Sequence, residues 1–562
     1  MTDNKENKEP YIVKTFTIPT EIEEIKENIT INTSTKTKTK TTRLSKEEII
    51  NRGLVLHSEG NIVEAVKKYQ YCIDQGFEDT RVLTNYANIL QKENKLNKAI
   101  EFYRKSLNLV PNQPDTYSLL GEALKDIGKL EEAKVILQKA IKMDPNNAKN
   151  YKNLGGILIK FNQLQEAKIF TKKAIELNLN FAEAYANLGV ISTCQGDLEE
   201  AEKHTRKAIE IKPDFTQAFS NLGSILNDLG KLKDAEVYLN KAITLNPELS
   251  DAHQNLSLVF LKSKRFKEGW NKYEWRWKVG EKQKLVTSKP EWKENNNGRV
   301  LLWAEQGIGD EILFASLIPE FQEKVDQLIL KVDKRLIPLF KRSFNKSIIY
   351  IDKNSHINED KYDYQIGMGS LPKFLRNSDN SFRKGKKAYL KADKGKTKLF
   401  RDRLNHSSFK KIIGISWRSD SIVNKQKSMT LEEFIIGIYS PNLCFVNLQY
   451  GDNKEEINNI KEKYNINIFE LNEVDLFYNI DGLASIISAC DLVISIENMI
   501  HTLTGALGIE SKILLTRNCL YFNGLNDTKS YWFPSQEFFR KGSSKDWGIV
   551  LKNIKERIKL AN

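Results

Sequence analysis

The stretch AEAYANLGVISTCQGDLEEAEKHTRKAIEIKPDF, residues 182–215, decides the fold. It holds two amphipathic runs. Gly196 closes the first as a helix and Pro213 stops the second, while Gly189, Ala201 and Ala208 are small enough to let helices cross closely. Moving outward, the same residues recur on a fixed lattice: Gly121, Gly155, Gly189 and Gly223 are 34 residues apart, as are Ala99, Ala133, Ala167, Ala201 and Ala235. Pro111, Pro145, Pro213 and Pro247 follow it with one gap. A constant period of this length predicts stacked helical pairs, each unable to bury its apolar face alone. Six units fit without insertion (46–79, 80–113, 114–147, 148–181, 182–215 and 216–249), and a seventh, altered unit runs from 250 to about 279.

The pattern Tyr185, Leu188, Gly189, Ala201, Ala208, Pro213 resembles the tetratricopeptide repeat, which implies an α-solenoid. The seventh unit, FKEGWNKYEWRWK, puts Gly269 and Arg276 where small alanines are expected and adds Trp270, Trp275 and Trp277. A terminal repeat has no next repeat to pack on, so these bulky groups predict docking onto a different domain. Asn51, Asn85, Asn153, Asn187, Asn221 and Asn255 share the position just before the Leu-Gly pair, Leu119 being the one break. A carboxamide donates and accepts at once, so this ladder suits either gripping an extended peptide backbone or hydrogen-bonding neighbouring helices.

Residues 1–45 end in a Thr/Lys tract too poor in apolar surface to offset chain entropy, and are expected to be disordered. After Trp277 the period vanishes. Short β-branched runs then alternate with helical ones, the pattern of parallel α/β units. Strands are predicted at 300–304, 327–332 and 347–351 in a first lobe (280–400), with a helix from about Asp310 to Lys324. Further strands at 411–417, 443–449, 466–471, 491–496 and 512–515 define a second lobe (401–562), joined to the first through the Lys-rich stretch 383–398. Two such sheets facing each other would place a cleft at their strand C-terminal ends.

The blocks LLWAEQGIGDEILF, YDYQIGMGSLPKFL, IGISWRSD, FVNLQYGD, NIDGLASIISACDLVISIENMIHTLTGALG and YWFPSQEFFRKGSSKDW, in this order, resemble bacterial tetratricopeptide proteins with a C-terminal glycosyltransferase-like domain of the GT-B fold. That domain is similar to heptosyltransferases and, more distantly, to O-linked N-acetylglucosamine transferases. The resemblance implies an inverting transferase with a nucleotide-sugar donor and a protein or glycan acceptor recruited by the repeats. It makes Asp310 the catalytic base, whereas local chemistry alone makes Asp310 an N-cap and Glu311 a helix-dipole partner. It also assigns the helix start at Asn498, His501 and Thr502 to the donor phosphates. The sequence contains no DxD motif, so the diphosphate is expected to be neutralised without a metal, by a helix N-terminus, the Arg418 guanidinium and Lys427. Gln449, at a strand end, is a candidate for base, ribose or acceptor. Gln306, Gly307 and Gly309 form a loop on the acceptor side. The alternative is a non-catalytic interaction scaffold whose transferase half is degenerate.

A net charge of +14 admits an anionic partner, but the lysines are scattered and no basic-aromatic recognition module occurs, which argues against nucleic acid. Cys72, Cys194, Cys444, Cys490 and Cys519 lie far apart without metal-ligand spacing and are expected to be reduced core residues. Neither an apolar leader nor a run approaching membrane-spanning length is present, so a cytoplasmic protein is expected, with no cofactor beyond the nucleotide-sugar.

Overall fold

The computed structural model describes residues 45–280, 284–383, 388–405, 411–419, 427–542 and 547–560. They form two compact units that part inside the helix Ala182–Gln195. The predicted tail, 1–45, lies outside the described residues but for Ser45, which caps the first helix.

The first unit is a run of antiparallel helix pairs from Lys46–Ser58 to Leu164–Leu177, followed by the start of Ala182–Gln195. Its chain reversals show why the period is rigid. Gly60, Asn94, Gly128 and Asn162 all have φ between +57° and +81°, a left-handed position that only glycine or asparagine adopts cheaply. The pairs pack through the lattice alanines: Ala99, Ala133 and Ala167 have no exposed surface.

The second unit continues the lattice with left-handed Gly196, Gly230 and Lys264, and with the helices Leu198–Ile211, Thr216–Asp228, Leu232–Leu245, Ser250–Lys262 and Phe266–Tyr273. Lysine at 264 is costly for the backbone, and its Nζ meets Asp527 Oδ1 at 2.6 Å. Two parallel sheets follow. The first holds β1 (Arg299–Trp303), β2 (Gln327–Val332), β3 (Ile349–Asp352) and β4 (Tyr364–Gly367) in the order β3-β2-β1-β4. The second holds β5 (Lys411–Ser416), β6 (Leu443–Asn447), β7 (Ile468–Phe469), β8 (Leu492–Ile496), β9 (Ser511–Leu515) and β10 (Gln536–Arg540) in the order β10-β9-β8-β5-β6-β7. Counting each lobe from its own first strand, these are 3-2-1-4 and 3-2-1-4-5-6. The second is the doubly wound order whose ligands bind where the strand order reverses.

Strands β4 and β10 were not expected. β4 has only four residues and runs straight into the glycine-containing turn Met368–Ser370. The helix predicted from Asp310 to Lys324 is two helices, Ile308–Ala315 and Ile318–Gln322. Pro319 sits in the first turn of the second, where a missing N–H costs nothing. The stretch 383–398 contains the start of the helix Lys394–Leu404, and 384–387 lie outside the described residues.

One apolar core joins the last repeat to both lobes. Phe266, Trp270 and Tyr273 pack with Val300, Leu302 and Phe314 of the first lobe and with Val446, Ile500 and Phe533 of the second. Trp270 Nε1 donates to the Arg376 carbonyl at 2.8 Å, so the docking role predicted for the seventh unit is met inside this body. Trp275 is the exception: it stacks on His253 of its own repeat, centroids 3.7 Å apart. Cys72, Cys444, Cys490 and Cys519 are buried as expected, but Cys194 is exposed, because it falls on the solvent side of its helix.

Candidate functional site

In the second lobe the order reverses between β5 and β8. Ser416, Trp417 and Arg418 leave β5 there, and Glu497 and Asn498 leave β8. Asn498 caps the helix Met499–Leu507, its Oδ1 accepting from the N–H groups of Ile500 (3.0 Å) and His501 (3.4 Å). Its Nδ2 donates to Ser416 Oγ at 2.8 Å and to the Arg418 carbonyl at 3.2 Å, tying the two strand ends together. Gln449 turns inward. Its Oε1 accepts from Ser416 Oγ (3.0 Å) and from the N–H groups of Trp417 (3.2 Å) and Arg418 (3.0 Å), so it shapes the Arg418 loop from beneath.

Lys427 does not present a lone cation. It is buried in an ion pair with Glu497, whose Oε1 also accepts from the Leu520 N–H at 2.7 Å and from Asn523. Burial alone would raise the Glu497 carboxyl, but the Lys427 ammonium outweighs it and holds the group below its ordinary value. His501 has no exposed surface, stacks on Phe522 at 5.7 Å and meets the edge of Phe533. Neither ring nitrogen has a hydrogen-bond partner among the described residues, and burial pushes the imidazole down to about 4. Thr502, one position on, is 4% exposed, and a Cβ built on Gly309 would lie 3.9 Å from its Oγ1. The start of the helix Ile308–Ala315, which carries Asp310, and the helix after Asn498 therefore meet across the seam of the lobes.

Beside Arg418, at the ends of β6 and β7, opens a cavity of about 760 Å³ lined by Tyr450, Asp452, Asn453, Glu470, Phe477 and Tyr478 among others. Arg418 Nη2 donates to the Asp452 carbonyl at 2.9 Å, which sets the guanidinium on its rim. Phe477 and Tyr478 are 45% and 70% exposed, and Arg335 of the first lobe lies 4.9 Å over the Phe477 ring. The sequence reading missed these aromatics. FYN inside a polar loop carries no period, and only the fold sets it opposite Tyr450.

In the first lobe the order reverses between β1 and β4, and that crevice is filled. Arg276 of the last repeat enters it fully buried. Its Nη1 lies 2.6 Å from Glu274 Oε1, and its Nη2 lies 2.9 Å from Glu305 Oε1 and 2.8 Å from Ser370 Oγ. Gln306 Nε2 donates to Tyr273 Oη at 2.9 Å. Asp310 lies close enough for its carboxylate to reinforce the raising of the Tyr273 and Tyr521 phenols, which burial chiefly causes. Asp310 is not an N-cap. The helix begins at Ile308 with Gly307 as cap, and Asp310 stands in its first turn, its N–H bonded to the Gly307 carbonyl at 3.0 Å. Glu311 is more than a dipole partner. It is 1% exposed, accepts from the Asp333 N–H at 2.9 Å and meets Lys353 Nζ at 3.1 Å, while burial raises its carboxyl.

The asparagine ladder is described separately in each unit. In the first, Asn85 Nδ2 donates to the Arg81 carbonyl at 2.9 Å within its own helix, and Asn187 Nδ2 reaches the Lys152 carbonyl at 3.2 Å in the preceding repeat. Asn153 Oδ1 accepts from Lys125 (3.2 Å) and Lys152 (2.8 Å), and Asn51 is half-buried. In the second, Asn221 Oδ1 accepts from Gln217 at 3.0 Å and Asn255 is half-buried.

The chain thus joins a helical tetratricopeptide array to an α/β region with two parallel sheets. Tetratricopeptide repeat family models match residues 87–128, 124–189, 182–215 and 216–249. Over 305 residues the chain is 28% identical to Protein FlbA of Caulobacter vibrioides, covering 50% of each; it spans about half the length of that curated relative. Among solved structures it is similar to YrrB, described as a TPR protein with an unusual peptide-binding site (29% identity, 33% of this chain and 95% of that chain, TM-score 0.27). It is also similar to a tetratricopeptide repeat protein from Parabacteroides merdae (16% identity, 42% and 93%, TM-score 0.36). Among the described residues no helix is long and apolar enough to cross a membrane.

Proposed function

We propose that this protein is a repeat-armed glycosyltransferase of GT-B type, built from an array over 46–279, a first lobe over 280–400 and a nucleotide-binding lobe over 401–562. The observation that carries the reading is the second lobe's reversal point. An arginine and a capped helix N-terminus converge there, and an aromatic-walled cavity opens beside the arginine at the ends of β6 and β7; these are the groups that a phosphate and a base require. The nucleoside of the donor occupies the cavity, whose Asp452, Glu470 and Asp475 suit its hydroxyls and leave the diphosphate outside, at Arg418 and the helix start. Arg418 and the helix start at Asn498 and Thr502 stabilise the departing diphosphate without a metal, while Gln449 holds the Arg418 loop.

Lys427 and His501 act from behind, Lys427 through Glu497 and His501 by filling the core beneath the helix. Across the seam, Asp310 takes the acceptor proton in an inverting displacement, and Gln306, Gly307 and Gly309 line the approach. The repeats recruit a protein or glycan acceptor. Within each unit the asparagines, Asn51, Asn85, Asn153 and Asn187 in the first and Asn221 and Asn255 in the second, supply carboxamides for an extended chain, although Asn85 and Asn187 are already spent on helix carbonyls.

A second reading, a protein-interaction scaffold with a degenerate transferase half, is favoured by the pairing of both cations: Lys427 is neutralised by Glu497, and Arg418 Nη1 lies 3.4 Å from Glu456 Oε2. Calorimetric titration with UDP, GDP and ADP separates the two. The enzyme reading expects saturable one-site binding of one of them, weakened roughly tenfold or more by Arg418→Ala. No binding of any of the three leaves the scaffold.

A further inference from the structure

The Lys-rich stretch that joins the lobes plays no part in the site above, yet it forms a cavity of its own. A space of about 560 Å³ opens where this strap crosses the second lobe, walled by Lys391, Lys394, Lys398 and Arg401 with Thr397 and Ser488 between them. Its floor is apolar: Leu390 is 3% exposed and Leu507 is 8% exposed. Among the described residues no carboxylate lines it. Asp491 pairs with Arg401 of the wall at 2.6 Å, which leaves the three lysines as its unneutralised cations; the other nearby acids are engaged elsewhere, Asp481 with Arg342 at 2.5 Å and Lys396 at 3.5 Å, and Asp393 as cap of the helix Lys394–Leu404 through the Lys396 N–H at 2.9 Å. The side chains of Lys391, Lys394 and Lys398 have no ion-pair or hydrogen-bond partner among the described residues. The cavity beside Arg418 is the opposite case, with Asp452, Glu470 and Asp475 against a single Lys454. A concave wall of one sign over an apolar floor concentrates counter-ions, and it focuses them most when no acid on the wall offsets the lysines.

We propose that this cavity is a second ligand site, which takes a small organic anion carrying two or more phosphoryl groups. The three unpaired ammonium groups and the Ser488 hydroxyl receive the phosphates, while the Thr397 hydroxyl is spent on the Asp393 carbonyl at 2.7 Å, and the ligand's organic body lies on Leu390 and Leu507. The strap is well placed to respond. The Tyr389 and Leu390 N–H groups both donate to the Ala506 carbonyl at 3.1 Å, and Tyr389 Oη donates to the Ile312 carbonyl at 2.7 Å, so the ligand would seat where the strap pins both lobes. The inference does not depend on the proposed transferase activity.

The test uses the full chain carrying Arg418→Ala, which removes the diphosphate contact proposed at the other site, and inorganic pyrophosphate as probe at fixed ionic strength. Calorimetry is expected to show one saturable site. Adding Lys394→Glu and Lys398→Glu, both exposed positions, should weaken it by about tenfold or more. A parallel arm measures sedimentation with phosphatidylinositol 4-phosphate vesicles against phosphatidylcholine vesicles. Binding of pyrophosphate without vesicle capture identifies a free phosphate ligand, and capture that the lysine variants abolish identifies a headgroup. Unchanged pyrophosphate binding and vesicle capture in the lysine variants, or no saturable binding of either probe, would overturn the proposal.

Discussion

The two lobes share a strand order and differ in what occupies the point where it reverses. In the first, the crevice is plugged by Arg276, which the last repeat inserts between Glu305 and Ser370. In the second, the equivalent point stays next to a cavity of about 760 Å³, with Arg418 on its rim. A doubly wound sheet thus offers a place for a ligand, and the side chain that arrives there first decides whether that place is a site or a joint. The first lobe's reversal point has become the joint to the repeats, which leaves it to hold the helix start that carries Asp310.

The largest effect should come from breaking that joint. Arg276→Met leaves Glu274 and Glu305 facing each other without their cation, and is expected to cost about 3–5 kcal/mol in urea unfolding. A cost under about 1 kcal/mol would mean the crevice is not held by the arginine. The second lobe has its own buried group to lose, His501. Its folded value of about 4 lies below the ordinary 6.5, so the unfolded chain takes up the proton first. Stability is full above about pH 6.5 and falls as pH drops toward 4, by up to about 3 kcal/mol. Unfolding curves at several pH values should show this slope, and His501→Phe should flatten it.

Smaller effects separate the glycines. A Cβ at Gly369 would meet Glu305 Oε1 at 2.5 Å and Gln306 Nε2 at 2.8 Å, so Gly369→Ala should lose about 1–3 kcal/mol. At Gly309, inside a helix and 3.9 Å from Thr502, alanine should change stability by less than about 1 kcal/mol in either direction. Thermal melts of both variants would reverse the assignment if Gly309→Ala proved the more damaging.

How much of this was legible follows from what repeats. The array could be read because one constraint recurs every 34 residues, down to the left-handed Gly60, Asn94, Gly128 and Asn162. The seventh unit betrayed its docking role by breaking the rule with Trp270 and Arg276, but its acceptors Glu305 and Ser370 lie 29 and 94 residues away and leave no local mark. The same holds for Glu497 and Lys427, 70 residues apart: the lysine read as a phosphate ligand because its partner was invisible. Sheet order, which makes Arg418 and Asn498 neighbours, is fixed by crossovers rather than by any short stretch. The emphasis on Gly307 and Gly309 came from spacing alone. The close approaches are at Gly367, 3.1 Å from Trp277, and at Gly369.

The central claim is that a nucleotide sits beside the second lobe's reversal point, in the cavity at the ends of β6 and β7, and not at the first lobe's reversal point. Photo-crosslinking the full chain with 4-thio-UDP, or with the azido analogue of whichever nucleotide binds, followed by peptide mass spectrometry, tests it directly. The label is predicted on Tyr450, Phe477 or Tyr478, which line the cavity. Label on residues 304–310 of the first lobe, or none that excess unlabelled nucleotide displaces, would contradict the account.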